Sequence, residues 1–359
     1  MSAFVYVGTY TDQTTPSGER SRGIYSFRMH ANGRMDALGS VAHGDNPSYL
    51  IMAKRRRILY AVSELNGQAA ITAYAMQPDG SLRALGSAAY PGSAMCHLAI
   101  DAQERFLLAA NYLSGTVLSV ALTPEGLPGA LCANIQHAGR ALPDKQPPAP
   151  HAHSAQFLPG GPYVVAADLG TDTLYTYRMD EQTGALHAAG EARVPHGQGP
   201  RHFVLDAQGT TLYLLTELGN RVMRFACAPE TGTLTFLDEM SSLPASFAGK
   251  SSGADIHLSP DGRFLYASNR GSDTLLCAAT GAQGLHDPSW YSCGGRVPRN
   301  FALTQDGGLL LTANQNSHNI AVLARDAQTG SVARDVSGVP VPFPVCLVIV
   351  PEEALVCHD

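Results

Sequence analysis

Charge is in short supply in this chain. Asp, Glu, Lys and Arg make up only 15% of its 359 residues, the formal net charge is -6, and the one basic run, Lys54-Arg55-Arg56-Arg57, sits in a turn between two apolar segments. A nucleic-acid partner wants a basic face, so this distribution argues against one. No uninterrupted apolar stretch reaches the ~18 residues of a membrane-spanning helix. The opening MSAFVYVGTYTD enters a strand-like alternation without the basic and long apolar segments of a signal peptide. No membrane partner is expected, and the chain reads as cytoplasmic. The seven cysteines (Cys96, Cys132, Cys227, Cys277, Cys293, Cys346 and Cys357) are odd in number and form no CxxC pair. They read as core fillers in a reducing compartment rather than a disulfide framework or zinc site.

What the chain has in quantity is apolar residues, at 45%, with 36 glycines and 23 prolines that interrupt it too often for long helices. Between the interruptions the apolar residues alternate with period two, the pattern of half-buried strands. The strands recur. YLIMAKRRRILYAVSE, CHLAIDAQERFLLAAN, HSAQFLPGGPYVVAAD, HFVLDAQGTTLYLLTE, ADIHLSPDGRFLYASN and RNFALTQDGGLLLTAN each hold a strand, a turn, a second strand and a polar end residue. Those ends, Glu64, Asn111, Asp168, Glu217, Asn269 and Asn314, follow one another at intervals of 47, 57, 49, 52 and 45 residues. A four-stranded unit of about 40–50 residues is the repeat of a propeller blade. A seventh blade is assembled from both termini: FVYVGTY and GIYSFRM lack an inner strand, and PVCLVIV is an inner strand with nothing after it. The expectation is an all-β, seven-bladed β-propeller of four-stranded antiparallel blades, one domain over residues 1–359, closed by N- and C-terminal strands sharing a blade.

In such a blade the start of the innermost strand and the end of the second lie at the same sheet edge. The first column reads Pro47-Ser48-Tyr49, Met95-Cys96-His97, His151-Ala152-His153, Arg201-His202, Gly253-Ala254-Asp255 and Pro298-Arg299-Asn300. The second supplies Glu64, Asn111, Asp168, Glu217, Asn269 with Arg270, and Asn314 with Gln315. Imidazoles, guanidiniums and carboxylates therefore converge on one mouth of the central channel, as a small-molecule site requires. The long connection NIQHAGRALPDKQPPAP (134–150) is expected over the same mouth, bringing His137, Arg140 and Lys145. Asn111 and Asp168 also fit ordinary turn caps. His97, His202 and His257 also fit satisfied interior histidines.

Taken together, YVGTYTD, SRGIYSF, NPSYL with LYAVSE, HAG…KQPPAPHAHS, GPRHFVLD, TEL, ADIHLSPDGRFLYASNRG and PRNF resemble the lactonase family of seven-bladed propellers, over nearly the whole chain. That family includes cycloisomerase-type 6-phosphogluconolactonases and fungal carboxy-muconate lactonizing enzymes. The resemblance implies metal-independent chemistry on a lactone ring, with a His, two Arg and a Glu lining the pocket. These fall on His153, Arg201, Glu217 and Arg270, with Arg299 a further candidate. The chain departs from the family pattern after SNRG, where TLLCAATG and HDPSWYSCGG stand in place of a regular third strand.

Ring hydrolysis needs a base for water, a positive environment for the oxyanion and an acid for the leaving alkoxide. Glu217 or His153 is the expected base, Arg201 is expected near the carbonyl oxygen, and Arg270, Arg299 or Lys145 would hold an anionic end of the substrate. His151, His202, His137 and Gln315 are further substrate-binding candidates. No cofactor or metal is expected: His151-x-His153 lacks an assignable third ligand, although an oxygen-ligated cation at Glu64, Asn111, Asp168 and Glu217 is an alternative. GKSSG (249–253) precedes a strand, not the helix that a nucleophile elbow needs. The expected partner is a small-molecule lactone and the expected state a monomer or weak homodimer. The expected substrate is 6-phosphogluconolactone, with an aldono- or muconolactone as alternative. A non-catalytic binding platform is the remaining reading, against which stands a single Trp.

Overall fold

In the computed structural model, which describes residues 2–139 and 149–355, the described chain forms seven four-stranded sheets, in each of which neighbouring strands run antiparallel. Six sheets are built from consecutive strands and span residues 50–89 (blade 1), 95–136 (blade 2), 152–193 (blade 3), 200–241 (blade 4), 252–292 (blade 5) and 298–340 (blade 6). In blade 7 the C-terminal strand Pro344–Pro351 is innermost and Ala3–Thr9, Gly23–Met29 and Met35–His43 follow outward, with Val5 opposite Ile349. The ring is thus closed by non-covalent pairing of the two ends of the chain, which leaves no open inner edge.

The core lies between blades. Ile58, Tyr60 and Ile71 of blade 1, for example, bury against Leu98, Leu107 and Leu118 of blade 2. Because each blade is covered on both faces, its second strand reads as a nearly continuous apolar run, as in YVVAAD and LLLTAN. Blade 5 is regular despite its unusual sequence. Thr274–Gly281 is its third strand and Gly284–Ser292 its fourth, and the lone tryptophan, Trp290, donates its indole N–H to the Ser242 carbonyl at 2.8 Å. Lys54–Arg57 forms the turn between the first two strands of blade 1.

Candidate functional site

The inner strands share an irregularity that positions the site. Pairing with the second strand skips one residue near the start of the inner strand in blades 2, 3, 4 and 6, leaving Cys96, His153, Arg201 and Arg299 bulged. Blade 5 skips Ala254 and Asp255, and blade 7 skips Val345. A bulge re-aims a side chain and lets two successive residues escape the strict up-and-down alternation of a strand. Arg201 and His202 accordingly both line one small axial cavity, together with Ser48, Cys96, His153, Arg299 and others. Two tiers result: an upper one at the bulged positions and a lower one a residue further on.

The upper tier carries the charge. Glu217 follows the second strand of blade 4, its N–H donating to the Gly199 carbonyl (2.7 Å) and its carbonyl accepting from Gly253 N–H (2.9 Å). Glycine is needed there, because a Cβ on Gly253 would stand 2.5 Å from the Thr216 carbonyl oxygen. The Glu217 carboxylate is then shared: Oε2 accepts from Arg201 Nε at 2.9 Å and lies 3.1 Å from Arg270 Nη2 and 3.9 Å from His153 Nε2. The Arg201 side chain is only 2% exposed and also donates to the Ala254 carbonyl, whereas Arg270 donates to Gly253 O at 3.0 Å and leaves its buried Nε without a partner. Burial, reinforced by Arg201 and Arg299, pushes the Arg270 pKa down to about 10 against the pull of Glu217, so it stays cationic at neutral pH. Burial first, then Arg201, His202 and Arg299, holds His153 well below the usual imidazole range and therefore neutral.

Across the basin Arg299 forms a second unit. Its Nη2 lies 3.9 Å from Glu64 Oε1, its guanidinium stands 5.3 Å from the Tyr10 ring centroid, and Tyr10 donates its hydroxyl to Glu64 Oε2 at 2.9 Å. Burial opposes the Arg299 charge, but Tyr10, Glu64 and Glu217 outweigh it and raise its pKa. Sequence reasoning missed Tyr10; the only signal was its place in YVGTYTD, beside the edge where the ring closes. Three guanidiniums against two carboxylates and a neutral imidazole leave the basin with one excess positive charge.

The lower tier is neutral but for one carboxylate, and it forms a complete belt. The Tyr49 ring lies tilted against His97 (centroids 4.4 Å apart), and the Ala155 N–H of blade 3 donates to His97 Nδ1 (3.5 Å). Ser154 donates to Arg201 O (2.7 Å), and His202 Nδ1 meets Asp255 Oδ1 (2.9 Å). Asn300 Nδ2 donates to Asp255 Oδ2 (2.5 Å) while its Oδ1 accepts from Leu347 N–H (2.7 Å), and Leu50 N–H donates to Cys346 Sγ (3.3 Å). Each blade is thereby tied to the next. Burial, then His202, drives His97 well below the usual imidazole range, and burial with Arg201 takes His202 to about 4. Burial works against the Asp255 charge, but His257 and His202 hold its pKa well below the carboxylate range. On its other side the belt faces a cavity of about 280 Å³ on whose wall His257, 40% exposed, meets Asp255 Oδ2 at 2.9 Å.

Other expected residues lie elsewhere. His137, expected over the mouth, is buried with Nδ1 2.6 Å from Asp168 Oδ2 and its ring against Tyr175 (4.1 Å). Asp168 draws it inward: the carboxylate also accepts from the backbone N–H groups of His151, Gly170 and Thr171, so it caps a turn and takes the imidazole into that buried network and away from the mouth. His151 stacks on Tyr112 (4.6 Å) and bonds the Tyr112 carbonyl through Nδ1 (2.9 Å). Asn111 donates to Thr116 Oγ1 (2.9 Å), as a turn residue would. Gln315 is half-buried at the end of the second strand of blade 6, where its N–H donates to Val297 O (2.9 Å). Arg140 and Lys145 lie outside the described residues. Among the described residues no three of His, Cys, Asp and Glu gather as metal ligands, Cys96, Cys132, Cys227, Cys277 and Cys346 are thiols outside any disulfide, and no helix is long and apolar enough to cross a membrane.

Residues 4–349 match the family described as "Lactonase, 7-bladed beta-propeller". A 6-phosphogluconolactonase of Bacillus subtilis is 33% identical over 346 residues, covering 95% of this chain and 97% of its own. Among solved structures, the periplasmic gluconolactonase PpgL of Pseudomonas aeruginosa superposes with a TM-score of 0.90 at 32% identity, over 98% of this chain and 99% of that one. A putative 6-phosphogluconolactonase of Bacteroides fragilis gives 0.88 at 30% identity, over 98% of each chain.

Proposed function

Because the chain belongs to the seven-bladed β-propeller lactonase family and is thus a lactone-hydrolysing enzyme, we propose that its substrate is a hexonolactone bearing an anionic group, 6-phosphogluconolactone foremost. The observation that carries this reading is the upper tier: one carboxylate oxygen shared by two guanidiniums beside a neutral imidazole, with a third guanidinium across the basin and one positive charge in excess.

The geometry favours His153 over Glu217 as base, since Glu217 is neutralised by Arg201 and Arg270 while the His153 lone pair is free of a proton at pH 7. Water oxygen bonds to the lactone carbonyl carbon as one of its protons passes to His153. Negative charge on the former carbonyl oxygen falls to Arg270, which has the unpartnered Nε, rather than to the more deeply engaged Arg201. Collapse breaks the ring C–O bond, and the alkoxide takes the proton back from His153. The product acid then ionises, releasing one proton per turnover. Arg299 binds the phosphate. A location in a reducing cytoplasm and a monomeric or weakly dimeric state fit the thiols of Cys96, Cys132, Cys227, Cys277 and Cys346 and the closed ring.

Unphosphorylated gluconolactone is the second reading, favoured by the pairing of every basin guanidinium with a carboxylate before substrate arrives. A panel of phosphorylated and plain lactones, assayed with and without chelator, separates the two. The proposal expects the phosphorylated lactone to be preferred by at least ~10-fold in kcat/KM, about 1.4 kcal/mol, with no loss on chelation. Equal rates on both would move the assignment to gluconolactone, and abolition by chelator would overturn the metal-free route.

A further inference from the structure

His202 belongs to the belt, yet one of its atoms is not used there. Asp255 is held ionised and can only accept, so the 2.9 Å contact requires His202 Nδ1 to carry the proton and leaves Nε2 as a bare acceptor. Nε2 is buried and has no protein partner, and neither does Ser48 Oγ. Both residues line the same axial cavity, whose other walls include His153, Arg201 and Arg299. Its volume, about 10 Å³, suits a single water, which asks for roughly 10–15 Å³ and 2–4 polar partners.

We propose that this cavity is a water-binding site of the reaction, with His202 Nε2 and Ser48 Oγ as its hydrogen-bonding groups and Asp255 as the positioning residue that keeps Nε2 an acceptor. One O–H of the water points to His202 while the other faces the neutral His153, whose ring lies 5.2 Å from that of His202. The Ser48 hydroxyl donates to one oxygen lone pair, so the water enters the reaction with its second lone pair uncommitted. As its oxygen bonds to the carbonyl carbon, His153 removes the second proton; the first stays on that oxygen and becomes the acid proton of the product. This deepens the lactonase reading and rests on it.

Asp255→Asn is the informative variant. Asn300 Nδ2, Phe301 N–H and His257 Nε2 all meet Asp255 Oδ2, against the Ile256 N–H beside His202 on Oδ1, so an amide there is expected to turn its oxygen to the side with more donors and its NH₂ to His202, moving the imidazole proton to Nε2. The ¹⁵N shifts of the His202 ring should show the Nδ1–H form in the native enzyme and the Nε2–H form in the variant, with kcat lowered about 10- to 100-fold and KM within about twofold. Ser48→Ala, which leaves the Asp255 network intact, should lower kcat by about 3- to 10-fold, the worth of one hydrogen bond. A high-resolution crystal structure of the native enzyme should show a water within hydrogen-bond distance of His202 Nε2. An Nε2–H tautomer in the native protein, no water at that position, or native kcat in either variant overturns the proposal. If Asp255→Asn does not fold, Ser48→Ala and the two native measurements still decide. If the native enzyme hydrolyses no lactone, the functional reading fails while the tautomer and the water still test this site.

Discussion

Arg201 and His202 are chain neighbours, yet the tiers they belong to use their polar groups in different ways. Upper-tier guanidiniums reach outward to the carboxylates that end the second strands, Glu217 and Glu64, and keep their charges. Lower-tier side chains reach sideways, each to the adjacent blade, and burial strips the charge from the imidazoles. The difference teaches that a ring of blades needs polar stitching at its axis as well as a reactive centre, and a one-residue bulge lets a single short strand supply both. Upper-tier changes should therefore act mainly on rate and lower-tier changes mainly on stability, with Asp255 and His202, which reach the proposed water, acting on both.

Glu217→Gln should blur that division most. It leaves Arg201 and Arg270 facing each other without their shared carboxylate, so kcat/KM should fall by at least ~100-fold. Unfolding in denaturant should show a loss of about 2–3 kcal/mol, below the 3–5 of a fully buried pair because Glu217 is 17% exposed. Acid comes next. His153, His97 and His202 have folded pKa values below their unfolded 6.5, so the unfolded chain binds more protons between pH 6.5 and the folded values. Stability present above pH 6.5 is lost as pH falls through that window. His202 alone, at about 4, accounts for about 3 kcal/mol by pH 4, at ~1.4 kcal/mol per unit. His257, raised above 6.5 by Asp255 against the effect of its burial, works the other way and is stabilising below pH 6.5. A Tm that does not fall between pH 7 and 4.5 would contradict the neutral imidazoles of the buried axis.

Asn300→Ala removes the links to Asp255 and to the Leu347 amide of the closing strand, and should cost about 1–3 kcal/mol by leaving that amide unpaired. KM should change little. His137→Gln should have the smallest effect on catalysis, within about threefold in kcat/KM, while Tm drops because the buried contact to Asp168 is lost. A larger kinetic effect would bring the Asp168 cluster into the basin after all.

Much of this was legible in the residues. Blade repeats show because each blade is buried on both faces, and the inner-strand and second-strand columns bring His153, Arg201 and Arg270 to Glu217 as the antiparallel topology requires. The bulges were not legible: skipping one residue in a register needs no particular side chain, so Asp255 looked like one more member of a column rather than the carboxylate that holds His202. His137 was misplaced for a related reason. Its sequence neighbours suggest an exposed loop, and only the fold shows Asp168 drawing it inward. Tyr10 could not be paired with Glu64 and Arg299 until the closing blade set the N-terminal strand beside blade 1.

The most direct test of the basin is His153→Ala, assayed on 6-phosphogluconolactone alongside its thermal unfolding. The account predicts a fall in kcat/KM of about 10²- to 10⁴-fold, the range for a lost general base, with Tm close to native. A variant that folds normally and keeps its rate within about threefold of native would mean that the chemistry takes place somewhere other than the upper tier.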